Sequence, residues 1–143
     1  MRFMVIVKAN ERSEAGQMPS EAELVAMGKL NEKMIKAGVL ASGEGLHPTS
    51  RGLRVTFQGG KREVTTGPFA PAQDQLGGFW ILNVKSQEDV LEWVKQIPFT
   101  QGEVVEIRKV FEPEDFEPAV KTKAGKKVIA DEKKFYKKPK KAK

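Results

Sequence analysis

His47 is the only histidine in the chain, and so the only side chain whose ordinary titration falls near neutrality. It closes a predicted strand, Val39 to His47, just before Pro48. On a regular strand it shares a face with Ala41, Gly43 and Gly45, whose small side chains leave room beside it, as an acid or base in a cleft requires. The competing account is a surface turn histidine. Glu44 lies three residues away and faces the other side of the strand; only a bulge at Gly43 or Gly45 brings the two together. Asp74 comes from a separate loop and escapes that constraint. The preferred pair is His47 oriented by Asp74, moving a proton on a small substrate. Arg54 and Arg108 lie on polar strand faces and suit a carboxylate; solvated edges with cross-strand ion pairs explain them equally well.

Other chemistries are disfavoured. There is no cysteine, so disulfides and thiolate metal sites are excluded, and a single histidine makes zinc improbable. No ligand cluster points to magnesium, and no phosphate-binding glycine loop of recognised form is present. No cofactor is expected. Trp80 and Trp93 read as packing residues. No run is long enough to span a bilayer, and Met1 to Glu14 lacks the pattern of a secretory leader, so a cytoplasmic protein without a membrane partner is expected.

The elements that position these residues follow from periodicity. Phe3 to Val7 is a short β-branched strand. Ser20 and Glu23 form a capping box opening a helix with Leu24, Met27, Leu30 and Met34 at helical spacing, closed by Gly38. Leu53 to Gln58 and Arg62 to Thr65 flank Gly59-Gly60 as a hairpin. Phe79 to Val84 is the most apolar strand. Ser86 starts a second helix that Pro98 ends, and Glu103 to Val110 is the last strand. The order predicts an α+β, ferredoxin-like βαββαβ fold with an inserted hairpin.

Two strands are apolar on both faces. Phe3, Val5 and Val7 oppose Met4 and Ile6, while Phe79 and Ile81 oppose Trp80, Leu82 and Val84. Helices cover one face of such a sheet, so the other implies association, most simply a homodimer. Cover by long side chains or by the C-terminal tail is the alternative.

A stiff loop separates the hairpin from the apolar strand. Gly67-Pro68 makes a corner, and a cis bond there is compatible though uncommon. Phe69 then plugs the end of the core or contacts a ligand. Ser42-Gly-Glu-Gly-Leu46, Thr66-Gly-Pro-Phe69, Gln75-Leu-Gly-Gly-Phe79 and Glu106-Ile-Arg108 together resemble the YCII-related family, in the branch named for an Asp-Gly-Pro-Phe motif. The resemblance covers residues 1 to about 118. It implies a ferredoxin-like subunit pairing into a dimeric α+β barrel. It also implies a mostly bacterial group with small-molecule enzymes among wider relatives, and a His–Asp pair suggested as catalytic in one branch. Thr66 stands where that motif has Asp, and Ala70-Pro-Ala-Gln-Asp74 departs from the segment that follows it, so the motif's carboxylate chemistry is not carried over.

The net charge of +6 is unevenly placed. Residues 119–143 hold eleven lysines and two acids, whereas residues 1–118 hold 14 basic and 17 acidic side chains. The reading is a mildly acidic domain, 1–118, with a lysine-rich tail, 119–143, capable of weak nonspecific contact with nucleic acid. Two functions are expected. One is a small-molecule-binding protein or enzyme with a pocket near His47 and Asp74, lined by Arg54, Arg108 and Phe69. The other is a non-catalytic dimeric scaffold whose basic tail meets acidic partners.

Overall fold

The computed structural model describes residues 1–137. In chain order the elements are β1 (Arg2–Lys8), α1 (Glu11–Glu14), α2 (Glu21–Lys36), β2 (Leu40–Gly45), β3 (Leu53–Gln58), β4 (Lys61–Thr66), β5 (Leu76–Asn83), α3 (Gln87–Val94), β6 (Val105–Lys109) and α4 (Lys123–Lys137). The central sheet is antiparallel with strand order β2-β5-β1-β6, and β3 and β4 form a separate two-stranded ribbon. With α2 and α3 as the two connecting helices, this is the ferredoxin-like α+β fold, with the hairpin inserted between β2 and β5.

The helices form where the sequence supplies starts and stops. Ser20 accepts from the Glu23 N–H while Glu23 accepts from the Ser20 N–H, closing the capping box of α2. Arg12 clamps the same carboxylate at 2.9 and 3.0 Å. Together they hold the Glu23 carboxyl down at about 2, with the Arg12 hydrogen bond the largest cause. α1 is thereby fastened to α2. Gly38, at positive φ, turns the chain from α2 into β2.

One sheet face carries the core. Phe3 and Val5 of β1, Trp80 and Leu82 of β5, and Val84 pack with Leu30 and Met34 of α2 and Val90 of α3. Burying this set is the main favourable term in folding. The Trp80 indole donates to Asn31, satisfying its one polar atom. Trp93 packs against the same cluster, so both tryptophans are structural.

The second face is read from the register. Met4 pairs with Ile81 and Ile6 with Phe79, while Glu44 borders Phe79 on one side and Glu106 and Arg108 border Ile6 and Met4 on the other. An apolar centre is thus rimmed by charge.

Several boundaries differ from expectation. β2 ends at Gly45, because Leu46 makes the last rung, donating to the Gly77 carbonyl, and Pro48 follows with no N–H to give. His47 therefore belongs to the turn and not to the strand. The irregularity in β2 falls between Leu40 and Ser42, not at Gly43 or Gly45. Residues 123–137 of the basic tail are helical. The remainder of the lysine-rich run, Lys138 to Lys143, lies outside the described residues.

No helix among the described residues is long and apolar enough to cross a membrane, and none of their His, Asp or Glu side chains cluster in threes fit to hold a metal.

Candidate functional site

The loops entering and leaving the β3–β4 ribbon meet at one end of the sheet and form a single cross-linked cluster. Thr49, in a 3-10 turn at Thr49–Arg51, stands at its centre. Its hydroxyl donates to Glu14 at 2.5 Å and accepts from the Phe69 N–H at 2.9 Å, and its own N–H donates to Glu14 at 3.2 Å. The Gly67 N–H donates to the Gly52 carbonyl at 3.0 Å. A side chain at Gly67 has no room: an added Cβ would sit 1.7 Å from the Thr49 carbonyl oxygen. Here glycine is required by close approach. The Gly67–Pro68 and Ala70–Pro71 bonds are both cis.

Phe69 does not plug the core. Its ring lies beside Gly52 and carries the Arg54 guanidinium, whose carbon is 3.8 Å from the ring centroid. Arg54 also donates from Nη2 to Gln75 Oε1 at 2.9 Å. Gln75 is the buried polar residue of the protein's described part, and its amide donates to the Pro71 carbonyl at 3.2 Å. The guanidinium is therefore held flat from one side and gripped at one nitrogen. Most of its five N–H groups are left for another acceptor. Such a planar fork matches a carboxylate or similar oxyanion.

His47 is exposed beside this cluster. Its Nδ1 lies 3.2 Å from Arg51 Nη1. Arginine only donates, so Nδ1 accepts and the proton of the neutral ring sits on Nε2. No hydrogen bond joins His47 to Asp74, which is exposed in a 3-10 turn, Ala72–Asp74. The space expected beside His47 is partly filled: a Cβ at Gly43 would meet Trp80 Cδ1 at 2.6 Å, although Gly45 remains open.

Arg108 is elsewhere. It lies on β6, the edge strand opposite β2, with β5 and β1 between them, about 14 Å across the sheet. Its side chain is 72% exposed and faces Glu106 of its own strand at 3.8 Å, the arrangement of a solvated edge. The structure thus brings Arg54 of β3 onto Phe69 and Gln75, joins neither His47 nor Asp74 to them by a hydrogen bond or ion pair, and leaves Arg108 on the far edge of the sheet. It adds Gln75, Thr49 and Glu14. Gln75 could have been suspected from its place in the Gln-Leu-Gly-Gly run, but nothing in the spacing pointed to Glu14.

In the core, the gap among Val5, Met34, Trp80, Leu82, Trp93, Val94 and Ile97 is about 10 Å³, barely a water's worth.

Comparison with known proteins places this geometry in context. A family model described as the YCII-related domain matches residues 1–114. An uncharacterized protein of Rhizobium meliloti (strain 1021) is 25% identical over 99 residues, covering 68% of this chain and 80% of that protein. Among solved structures, 5-chloro-2-hydroxyhydroquinone dehydrochlorinase (TftG) from Burkholderia phenoliruptrix AC1100, in complex with 2,5-dihydroxybenzoquinone, aligns at 14% identity. That alignment has a TM-score of 0.42 and covers 80% of this chain and 98% of the other.

Proposed function

The chain belongs to the YCII-related family, and on that footing we propose that it binds a small acidic molecule at the loop cluster. Arg54 holds the ligand's carboxylate or equivalent oxyanion, and Phe69 packs beside it. The observation that carries this reading is the guanidinium fixed between the Phe69 ring and the buried Gln75 amide. A preorganised arginine loses less freedom on binding than a waving one.

His47 supplies the proton chemistry. With Nδ1 engaged by Arg51, its Nε2–H is a donor to a ligand oxygen. Abstracting a proton requires the ring to turn away from Arg51, and Asp74 is the acid in the neighbouring loop that then orients it. Whether turnover follows binding is decided by that exchange.

A homodimer completes the site. The outer side of the ribbon is its proposed contact; on the sheet's second face Ile6 is already buried, and Arg2, which shares that face of β1, carries the Tyr136 ring of α4. On the ribbon Leu53, Val55, Phe57 and Val64 share one side and are 47–68% exposed, while Arg54, on the other side, reaches back to Phe69 and Gln75. An isolated ribbon of this kind is marginal in water without something to pack on. That ribbon also favours a second reading, a non-catalytic dimeric scaffold.

A thermal-shift panel of small aliphatic and aromatic carboxylic acids tests binding. At least one acid should raise the melting temperature of the wild type, and Arg54→Ala should abolish the shift. His47→Ala should retain the binding and lose its pH dependence. A wild type that no acid stabilises, or Arg54→Ala responding as the wild type does, overturns the reading.

A further inference from the structure

Among the described residues Gln75 is the one buried polar side chain, 8% exposed, and it is anchored through backbone and side chain alike. Its N–H donates to the Ala72 carbonyl at 3.0 Å, and its carbonyl accepts from the Ala9 N–H, just past β1, at 2.9 Å. Its side-chain Nε2 donates to the Pro71 carbonyl at 3.2 Å, and its Oε1 accepts from Arg54 Nη2 at 2.9 Å. A flipped amide would set its oxygen against the Pro71 carbonyl and its NH₂ against a guanidinium that only donates. The orientation of the amide is therefore fixed, and with it one nitrogen of Arg54.

The other arginines show what is unusual in this grip. Arg2 is forked onto Glu112, with Nε at 3.0 Å and Nη2 at 2.9 Å, and Arg12 onto Glu23 at 2.9 and 3.0 Å. Those charges are neutralised where they stand. Arg108 faces Glu106. Arg54 is held by a neutral partner instead. Glu63 shares its side of the ribbon and Asp74 precedes Gln75, yet among the described residues no carboxylate forms an ion pair with it. Arg51 and Arg62 also lack a carboxylate, but Arg51 meets the exposed His47 ring, and Arg62 meets a backbone carbonyl and the exposed Phe57 ring. Neither is tied to a buried side chain.

We propose that Gln75 determines the specificity of the loop cluster: it positions the Arg54 guanidinium without cancelling its charge, so the site takes a molecule with one oxyanion and discriminates against the neutral form of the same shape. This inference rests on the reading of Arg54 as the ligand-binding group. Phe69 covers one face of the guanidinium, so an acceptor approaches at its edge, in the plane of the free N–H groups. A carboxylate at position 75 would accept from the same Nη2 more strongly, but it would spend the cation inside the chain and leave an incoming anion facing a neutral pair. An apolar side chain there would leave the charge free and the guanidinium ungripped. The buried amide combines the grip with the free charge. Gln75 touches Arg54 and not the ligand, so it is a positioning residue.

The experiment is a titration of the full chain, followed by backbone amide NMR at neutral pH and low salt, with acetate beside acetamide and benzoate beside benzamide. Each pair has one shape and differs in charge. At least one anion should shift the Phe69 and Gln75 signals and bind the wild type about tenfold more tightly than its amide. Gln75→Met should weaken that anion about threefold, through the loosened guanidinium, and keep the preference for it. Gln75→Glu should weaken it about tenfold or more and lose the preference, although it retains the acceptor for Arg54. A residue that merely held the loop would give the opposite order, since glutamate is the closer mimic of glutamine. Circular dichroism of each variant verifies the fold, and if Gln75→Met does not fold, the anion-to-amide ratio of Gln75→Glu decides. A wild type in which neither anion shifts the cluster, or Arg54→Ala binding as the wild type does, overturns the reading of Arg54 and this inference with it. An anion bound through Arg54 while Gln75→Glu keeps the wild-type preference, or binds it more tightly than Gln75→Met, overturns the role of Gln75 alone.

Discussion

The Glu14 carboxylate accepts both the hydroxyl and the backbone N–H of Thr49. Through that one pair the four-residue helix α1 holds the loop that presents Phe69 and, over it, Arg54. α1 is in turn tied to α2 by Arg12 and Glu23. The guanidinium assigned to the ligand thus stands at the end of a relay of polar contacts that begins at a helix cap.

Thr49→Val keeps the shape and removes the hydroxyl. The Phe69 N–H then loses its acceptor and Glu14 one of its donors, so unfolding in urea should show a loss of about 1–3 kcal/mol. Thr49→Ser should recover most of it. If valine is tolerated without cost, the relay does not support the loop.

Gly67→Ala places a methyl group against the Thr49 carbonyl, 1.7 Å from its oxygen. Backbone has to move, and destabilisation of at least about 2 kcal/mol is expected. Gly45→Ala, with nothing within 4 Å of the new atom, serves as the control and should change stability by no more than about 0.5 kcal/mol. Equal melting temperatures for the two variants would contradict the close approach.

The Glu23 carboxyl, held at about 2 against an ordinary 4.5, contributes stability that is fully present above 4.5 and is lost as pH falls toward 2. Both partners are exposed and salt will weaken the effect. Glu23→Gln should lower stability at pH 7 and make the acid limb shallower between those values. An acid limb identical to the wild type would show that the cap is not coupled to folding.

Phe57→Glu puts a charge in the middle of the ribbon's apolar side. Sedimentation velocity should show two chains per particle for the wild type and one for this variant, with circular dichroism unchanged. A wild type that sediments as one chain at all accessible concentrations would remove the proposed second wall of the site.

The sheet was legible because its central strands are short apolar runs and its helices carry caps. Ser20 with Glu23 and the run from Phe79 to Val84 are local signals, and each formed the element expected. The candidate site was legible only in part, because its order comes from contacts distant in sequence. Arg54 meets Gln75 across the whole ribbon, and Thr49 meets Glu14 across α2 and β2. Spacing along the chain carries no trace of either. His47 lies just past Leu46, the last residue to pair, so strand parity does not set its direction. Arg108 carried the right chemistry on the wrong edge, since the strand order is invisible in the strand's own residues.

That strand order has a kinetic consequence. β1 is the central partner of both β5 and β6, yet β5 begins at Leu76 and β6 at Val105. No two strands of the main sheet that follow one another directly along the chain close a tight hairpin. A growing chain leaving the ribosome must keep Phe3 to Val7 from pairing wrongly until more than half of the domain has been made. Loop closure over such separations is entropically slow, and the early product is an apolar strand with both edges open. The ribbon β3–β4, by contrast, is closed by the Gly59-Gly60 turn and is free to form first, before the sheet it will later flank exists.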